Sequence, residues 1–261
     1  MILIDQGGNM SATEEVSKLG IYKEGMPWNP VEKIIMERRS VRRFKKEPLP
    51  DNLIRRILEA ARFAPSAGNG QPWKFIVVKS PEIIAEMERD AARISKFFMF
   101  FYGYTMFKGF RRLVSRLMAN FTVMRLYKNE FCTPPFFAMT QAAEDQTVYY
   151  HGAPVVIIIL EDKRGVSNPS VDVGIAGEHI VLAAHSLGVG TCWMGFSRLL
   201  TYYPKWRKKF GLGKYPYRFA NSICLGYPAY KADSEVPREV QNVEWHEGSM
   251  KDLPRFERQG E

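Results

Sequence analysis

Apolar positions along this chain follow two periods, and each predicts a different element. Ala153 to Leu160 runs without a charged residue, is rich in β-branched side chains and ends at turn residues. That pattern predicts a strand buried on both faces. Lys74–Lys79 (Lys-Phe-Ile-Val-Val-Lys) reads as a second strand, closed by Ser80-Pro81, which also opens a helix. Phe219–Leu225 reads as a last strand, and Gly190–Gly195 leads back into the sheet. The helical period appears at 31, 34 and 35, and again at Leu53, Ile54, Ile57, Leu58 and Ala61 behind Asp51, the expected N-cap. Val171–Leu187 is an Ala-rich helix stopped by Gly188. Further helices are expected over Phe136–Tyr150 and Arg198–Phe210, and the C-terminal 35 residues show little periodicity. Strands and helices together predict one α+β domain over 31–261, with a helical insertion at about 81–150 and an extension at 1–30 that packs on a partner.

The chain has 261 residues, 46% hydrophobic and 25% charged, which excludes long disorder and fibrous classes. Cys132, Cys192 and Cys224 form no CxxC pair, so a disulfide framework and a zinc ribbon are excluded and a reducing compartment is expected. The N-terminus carries no basic segment followed by an apolar run, so the chain is read as cytoplasmic. Net charge is +9, and its placement matters more than its size. Ala91–Asn129 holds eight Lys/Arg and no acid, and Thr201–Arg218 holds six with none. A chain basic only in patches is not read as a nucleic-acid binder.

Three stretches carry candidate chemistry. Arg38-Arg39-Ser40-Val41-Arg42-Arg43-Phe44-Lys45-Lys46 has six cations in nine residues. The bland reading is a solvated turn. The sharper one is a site for a phosphate and an anionic ring, because guanidinium grips phosphate bidentately. Ala64–Trp73 (Ala-Pro-Ser-Ala-Gly-Asn-Gly-Gln-Pro-Trp) is either a helix-terminal loop or a cradle of small residues, where the backbone approaches a flat ring and Ser66 and Asn69 bond to it. Leu187–Gly195 (Leu-Gly-Val-Gly-Thr-Cys-Trp-Met-Gly) fits neither GxGxxG nor a P-loop. His179 and His185 are too far apart along one helix to act as an i, i+4 pair, so no metal is expected. Cys192 has uncharged neighbours and reads as packing.

In this order, these motifs resemble the nitroreductase family of FMN-dependent oxidoreductases. Ala153-Pro154, Asp172–Ala176 and Leu225-Gly-Tyr-Pro228 add to the likeness, which spans 31–80 and 152–230. The resemblance implies a central mixed sheet flanked by helices, in an intertwined homodimer with FMN at the subunit interface. It implies that Arg38, Ser40 and Arg42 hold the phosphate, ribityl chain and pyrimidine edge, with Arg39 adding backbone contacts. Pro65, Ser66, Ala67 and Asn69 would come from the partner subunit. Met194 and Gly195 would place backbone N–H groups near flavin N5. Arg238 would be a late phosphate ligand, and Gln146 would reach the flavin. NAD(P)H would then reduce a nitroaromatic, quinone or enone acceptor by a ping-pong mechanism. A reductive dehalogenase of halogenated aromatics, or a membrane-surface protein with vestigial flavin, are the alternatives.

The insertion departs from the family pattern. Phe97–Phe110 holds eight aromatics in fourteen residues, too few to cross a bilayer that needs about 20 helical residues. We read it as a lid whose Phe100, Phe101 and Tyr104 meet a flat acceptor, ahead of peripheral membrane contact through 97–116.

Overall fold

The computed structural model describes residues 27–102, 108–126, 149–230, 241–249 and 253–259. Its helices are α1 (Pro30–Glu37), α2 (Asp51–Arg62), α3 (Pro81–Tyr102), α4 (Gly109–Leu126), α5 (Pro169–Ser186) and α6 (Pro204–Phe210). Its strands are β1 (Trp73–Val78), β2 (Val155–Asp162), β3 (Gly190–Trp193), β4 (Tyr217–Gly226), β5 (Gln241–Trp245) and β6 (Arg255–Gln259). The chain divides into two compact units, 1–36 and 37–261. In the first, Asn29 caps α1. Its Oδ1 accepts the N–H groups of Val31 and Glu32 at 2.9 and 3.0 Å, and Glu32 Oε2 accepts the Asn29 N–H at 2.7 Å. This reciprocal arrangement satisfies helix-end donors that have no partner within the helix.

The second unit is built on a four-stranded sheet in the order β1-β2-β4-β3. All three pairings are antiparallel. The parallel component of the sheet is a bridge between Ser40 and Thr191. β2 is central, and Val155 through Leu160 are each 0% exposed. Val156, Ile158 and Leu160 join a core with Met87 and Ala91 of α3 and Trp206 of α6. Val155, Ile157 and Ile159 join the opposite core with Ile54 and Ile57 of α2 and Ile180 and Val181 of α5. Burying each such side chain contributes about 1.5–3 kcal/mol, which is why this strand has no polar face.

Local chemistry shifted several expected boundaries. Pro50, not Asp51, caps α2, and the Pro50 carbonyl accepts the N–H groups of Leu53 and Ile54 at 3.1 and 3.2 Å. Asp51 instead pairs with Lys79. The single helix expected over Arg198–Phe210 is two pieces, a 3₁₀ helix from Gly195 to Tyr202 and then α6. Pro204 has no N–H to continue the ladder. The C-terminal stretch contains an antiparallel hairpin, β5 on β6, pairing Gln241 with Gln259 and Trp245 with Arg255. Alternation over five residues was too brief to announce it. The expected helix at Phe136–Tyr150 lies outside the described residues except for Tyr149-Tyr150, which form a turn.

Candidate functional site

The basic stretch after α1 is a strap laid along the free edge of β3. The Val41 N–H donates to Thr191 O at 2.8 Å, the Lys45 N–H to Tyr227 O at 2.9 Å, and the Ala229 N–H to Arg43 O at 3.0 Å. Val41 and Phe44 are buried, which turns Arg42 and Arg43 outward. Two glycines make room for this. A Cβ on Gly190 would sit 2.8 Å from Val41 Cγ2, and one on Gly226 would sit 2.9 Å from Phe44 Cδ1. The Leu-Gly-Val-Gly motif therefore works through packing. It lets the strap dock, and the strap fixes Arg38, Ser40 and Arg42.

The electrostatics of this edge are cationic. Arg38 Nε lies 4.0 Å from Glu178 Oε1 of α5, and Arg39 Nη1 donates to Arg38 O at 2.9 Å. Burial pushes the Cys192 thiol up, opposed by the fields of Arg42 and Arg38. Burial pulls His151 down, and Arg42 adds to the shift. Arg42 therefore acts on both Cys192 and His151, and among the described residues no carboxylate pairs with it.

β3 runs from this strap into Met194 and Gly195. Met194 is buried, and its N–H donates to Ser222 O at 2.8 Å. That donor is engaged by the sheet, which leaves the Gly195 N–H as the donor of the expected pair without a partner among the described residues. Gly195 is exposed and opens the 3₁₀ helix, where first-turn N–H groups have no acceptor within the helix. Trp193 lies across α5 at Gly177, where a Cβ would come within 2.1 Å of its ring.

The small-residue loop is tightly turned. Gly68, Asn69 and Gln71 have φ of 58°, 54° and 46°, a region that costs non-glycine residues energy and that clusters at functional sites. Ser66 Oγ accepts the Gln71 N–H at 3.0 Å, Gln71 Nε2 donates to Asn69 Oδ1 at 3.2 Å, and the Ala67 N–H donates to Asp172 Oδ2 at 3.3 Å. Pro65 and Asn69 are exposed. Asp172 and Glu178 are six residues apart on α5, about 9 Å at 1.5 Å per residue. The loop and the Arg38 end of the strap thus attach to different turns of one helix.

Of the remaining expected residues, Gln146, Arg238 and Tyr104 lie outside the described residues, as does the side chain of Phe101. Phe100 is 59% exposed, with the Arg111 guanidinium 4.5 Å from its ring centroid. Sequence reasoning missed Asp172 as the anchor of the loop. It also missed the buried hydroxyls of Tyr150, Ser197 and Ser222 behind Met194. No local signal links partners so far apart in sequence. A cavity of about 390 Å³ opens beside Trp193, lined by Glu161, Ser170, Arg198, Arg218 and Asn221. Glu161 is buried there and accepts from Ser170 and Arg218 at 2.8 Å.

An antiparallel sheet covered by helices on both faces, with a cationic strap at its edge and a strained polar loop nearby, defines an α+β protein equipped to hold an anionic, flat ligand. The profile of the Nitroreductase family matches residues 35–227, and the chain belongs to that family. A provisionally named NADH dehydrogenase/NAD(P)H nitroreductase of Methanothermobacter thermautotrophicus is 28% identical over 198 residues, 75% of each chain. An iodotyrosine deiodinase of Haliscomenobacter hydrossis is 42% identical over 87 residues, 33% of this chain and 35% of that one. Among solved structures, a nitroreductase with bound FMN from Desulfitobacterium hafniense superposes with a TM-score of 0.58 at 27% identity, covering 81% of this chain and 96% of that one.

Proposed function

We propose that this chain is an FMN-dependent oxidoreductase that takes a hydride from NAD(P)H and passes it to an aromatic or conjugated acceptor. The strap carries the reading. Arg38, Ser40 and Arg42 sit on a backbone tied to β3, the strand that leads to the exposed Gly195 turn, a donor set suited to a phosphate and an electron-rich ring. When bound, FMN supplies hydride acceptance and release, chemistry that amino-acid side chains lack. The chain's own part is to bind and orient. Arg38, Ser40 and Arg42, with Arg39 alongside, hold the phosphate, ribityl chain and pyrimidine edge. A guanidinium at that edge would favour negative charge on the ring. The Gly195 N–H would be the donor toward N5, with Met194 as its support.

The site is completed in a homodimer. Pro65, Ser66, Ala67 and Asn69 serve the partner's flavin, a reading supported by the attachment of loop and strap to different turns of α5. Gln146 and Arg238 complete the set. The acceptor class is a nitroaromatic, quinone or enone, and one face of the ring serves donor and acceptor in turn. Anaerobic titration tests this. FMN should bind, NADH or NADPH should bleach it, and an acceptor panel should restore the colour with parallel double-reciprocal lines. A colourless protein that cannot be reconstituted with FMN overturns the reading, and a flavin-loaded monomer at micromolar concentration overturns the shared site. The local likeness to iodotyrosine deiodinase favours one second reading, reductive dehalogenation of a halogenated aromatic. Halide release in the same panel identifies it.

A further inference from the structure

One residue holds Met194 at both ends. The Met194 N–H donates to Ser222 O at 2.8 Å, and the Ser222 hydroxyl donates to Met194 O at 2.7 Å. Ser222 has one hydroxyl proton, so this bond sets the direction of everything behind it. Ser197 Oγ lies 2.6 Å from Ser222 Oγ and must be the donor between them. The Ser197 proton is then committed, so the Tyr150 hydroxyl, 2.9 Å away, donates to Ser197. Tyr150 and Ser197 are 1% exposed and Ser222 is 0% exposed, which keeps bulk water from competing. Burial pushes the Tyr150 phenol well up, which keeps its proton in place. Only one order satisfies all three hydroxyls: Tyr150 to Ser197 to Ser222 to the Met194 carbonyl.

The chain of hydroxyls ends on the peptide whose other face is the Gly195 N–H. A peptide is one conjugated unit. A bond accepted at its carbonyl draws density from its nitrogen and makes the same unit's N–H a better donor, and chained bonds in a dry interior reinforce one another. We propose that Tyr150, Ser197 and Ser222 are positioning residues that fix and polarise the Met194–Gly195 peptide, presenting the Gly195 N–H to the flavin as a strengthened donor. The inference rests on the FMN reading above. The neighbouring pair Ser95 and Tyr149 is also buried and hydrogen-bonded, but its hydroxyls do not join the chain behind Met194, although the Tyr149 ring packs edge-on against Phe196 at 5.5 Å. Ser95→Ala removes a buried hydroxyl without altering that ring, so it serves as the control.

The sequence offers a direct probe, because Met-Gly occurs once in the chain, at 194–195. Labelling methionine carbonyls with ¹³C and glycine nitrogens with ¹⁵N gives one carbonyl-to-amide correlation in the full-length protein. Ser222→Ala should move both the Met194 carbonyl and the Gly195 amide upfield. Tyr150→Phe should move them the same way by less, and Ser95→Ala should leave them in place. FMN added to the wild type should move the Gly195 signal, and its dissociation constant should rise roughly threefold to tenfold in Ser222→Ala. Tyr150→Phe keeps the ring in the core and carries the test if Ser222→Ala does not fold. A correlation unmoved by the Ser222 or Tyr150 variants, or moved equally by Ser95→Ala, overturns the chain of hydroxyls. FMN that binds without moving Gly195 overturns the donor role. Failure of FMN to bind overturns the FMN reading, and the shifts in the free protein still report on the hydroxyls.

Discussion

Two segments of this chain are dense in cations and meet opposite fates. Residues 38–46 have six in nine, and residues 91–129 have eight with no acid. In the first, Val41 and Phe44 point into the core and backbone bonds tie the strap to Thr191 and Tyr227. Its charges are held in place by the sheet. In the second, described apolar side chains in the first turns of α4 point outward. Phe110, Leu113 and Leu117 are 80%, 54% and 59% exposed, while Ser115 is 4% exposed. These residues form a stripe at i, i+3 and i+7, with Arg111 and Arg116 on its two sides by helical position. Charge density alone does not separate the two segments. What separates the strap from α4 is whether buried apolar neighbours fix the backbone beneath the charge; the α3 part of 91–129 is itself anchored by buried Ala91, Ser95 and Met99.

That contrast can be broken from the strap side first. Gly190→Val should have the largest effect, because its side chain would collide with Val41 and lift the strap from β3. We expect about 1–3 kcal/mol of lost stability from overpacking, together with loss of measurable FMN binding, checked by thermal melting and fluorescence titration. Unchanged binding would mean that docking on β3 does not set the site. Arg38→Ala should leave the fold intact and raise the FMN dissociation constant about tenfold to hundredfold, from the loss of a charge-assisted bond worth roughly 1.5–3 kcal/mol. An unchanged constant removes Arg38 from the site.

On the insertion side, Phe100→Ala combined with Phe101→Ala and Tyr104→Ala should slow bulky aromatic acceptors and spare flavin reduction by NAD(P)H. Exposed substitutions at Phe110 and Leu117 should change stability by no more than about 0.5 kcal/mol. If instead these changes spare every acceptor and abolish sedimentation with anionic liposomes, the stripe is a membrane-surface contact rather than a lid. No described helix is long and apolar enough to cross a membrane. The smallest effect concerns pH. His151 and His185 are both pulled below the ordinary imidazole value of 6.5, chiefly by burial. Below 6.5 the unfolded chain binds protons that the folded chain resists, so stability should be full above that value and fall as pH drops toward the folded values. Melting temperatures of wild type and His151→Asn across pH 5 to 8 would show it, with the variant's slope shallower.

The sequence by itself determined the elements whose signal is local. The unbroken apolar run at Val155–Leu160 meant a central strand, and Gly188 marked where α5 stops, its N–H bonding back to His185 O at 3.0 Å. The order of Arg38–Arg42, Pro65–Asn69 and Met194-Gly195 also pointed to the family. The tertiary structure decided what those motifs do for one another. Gly190 reads as one small residue among several until Val41 is seen against it, and nothing near Asp172 in the sequence points to Ala67, 105 residues away, which donates to it. Met194 looked like a free donor until Ser222 was found holding both its N–H and its carbonyl. A period or a turn is written in neighbouring residues. A hydrogen bond or a steric gap between distant segments exists only once folding has brought them together.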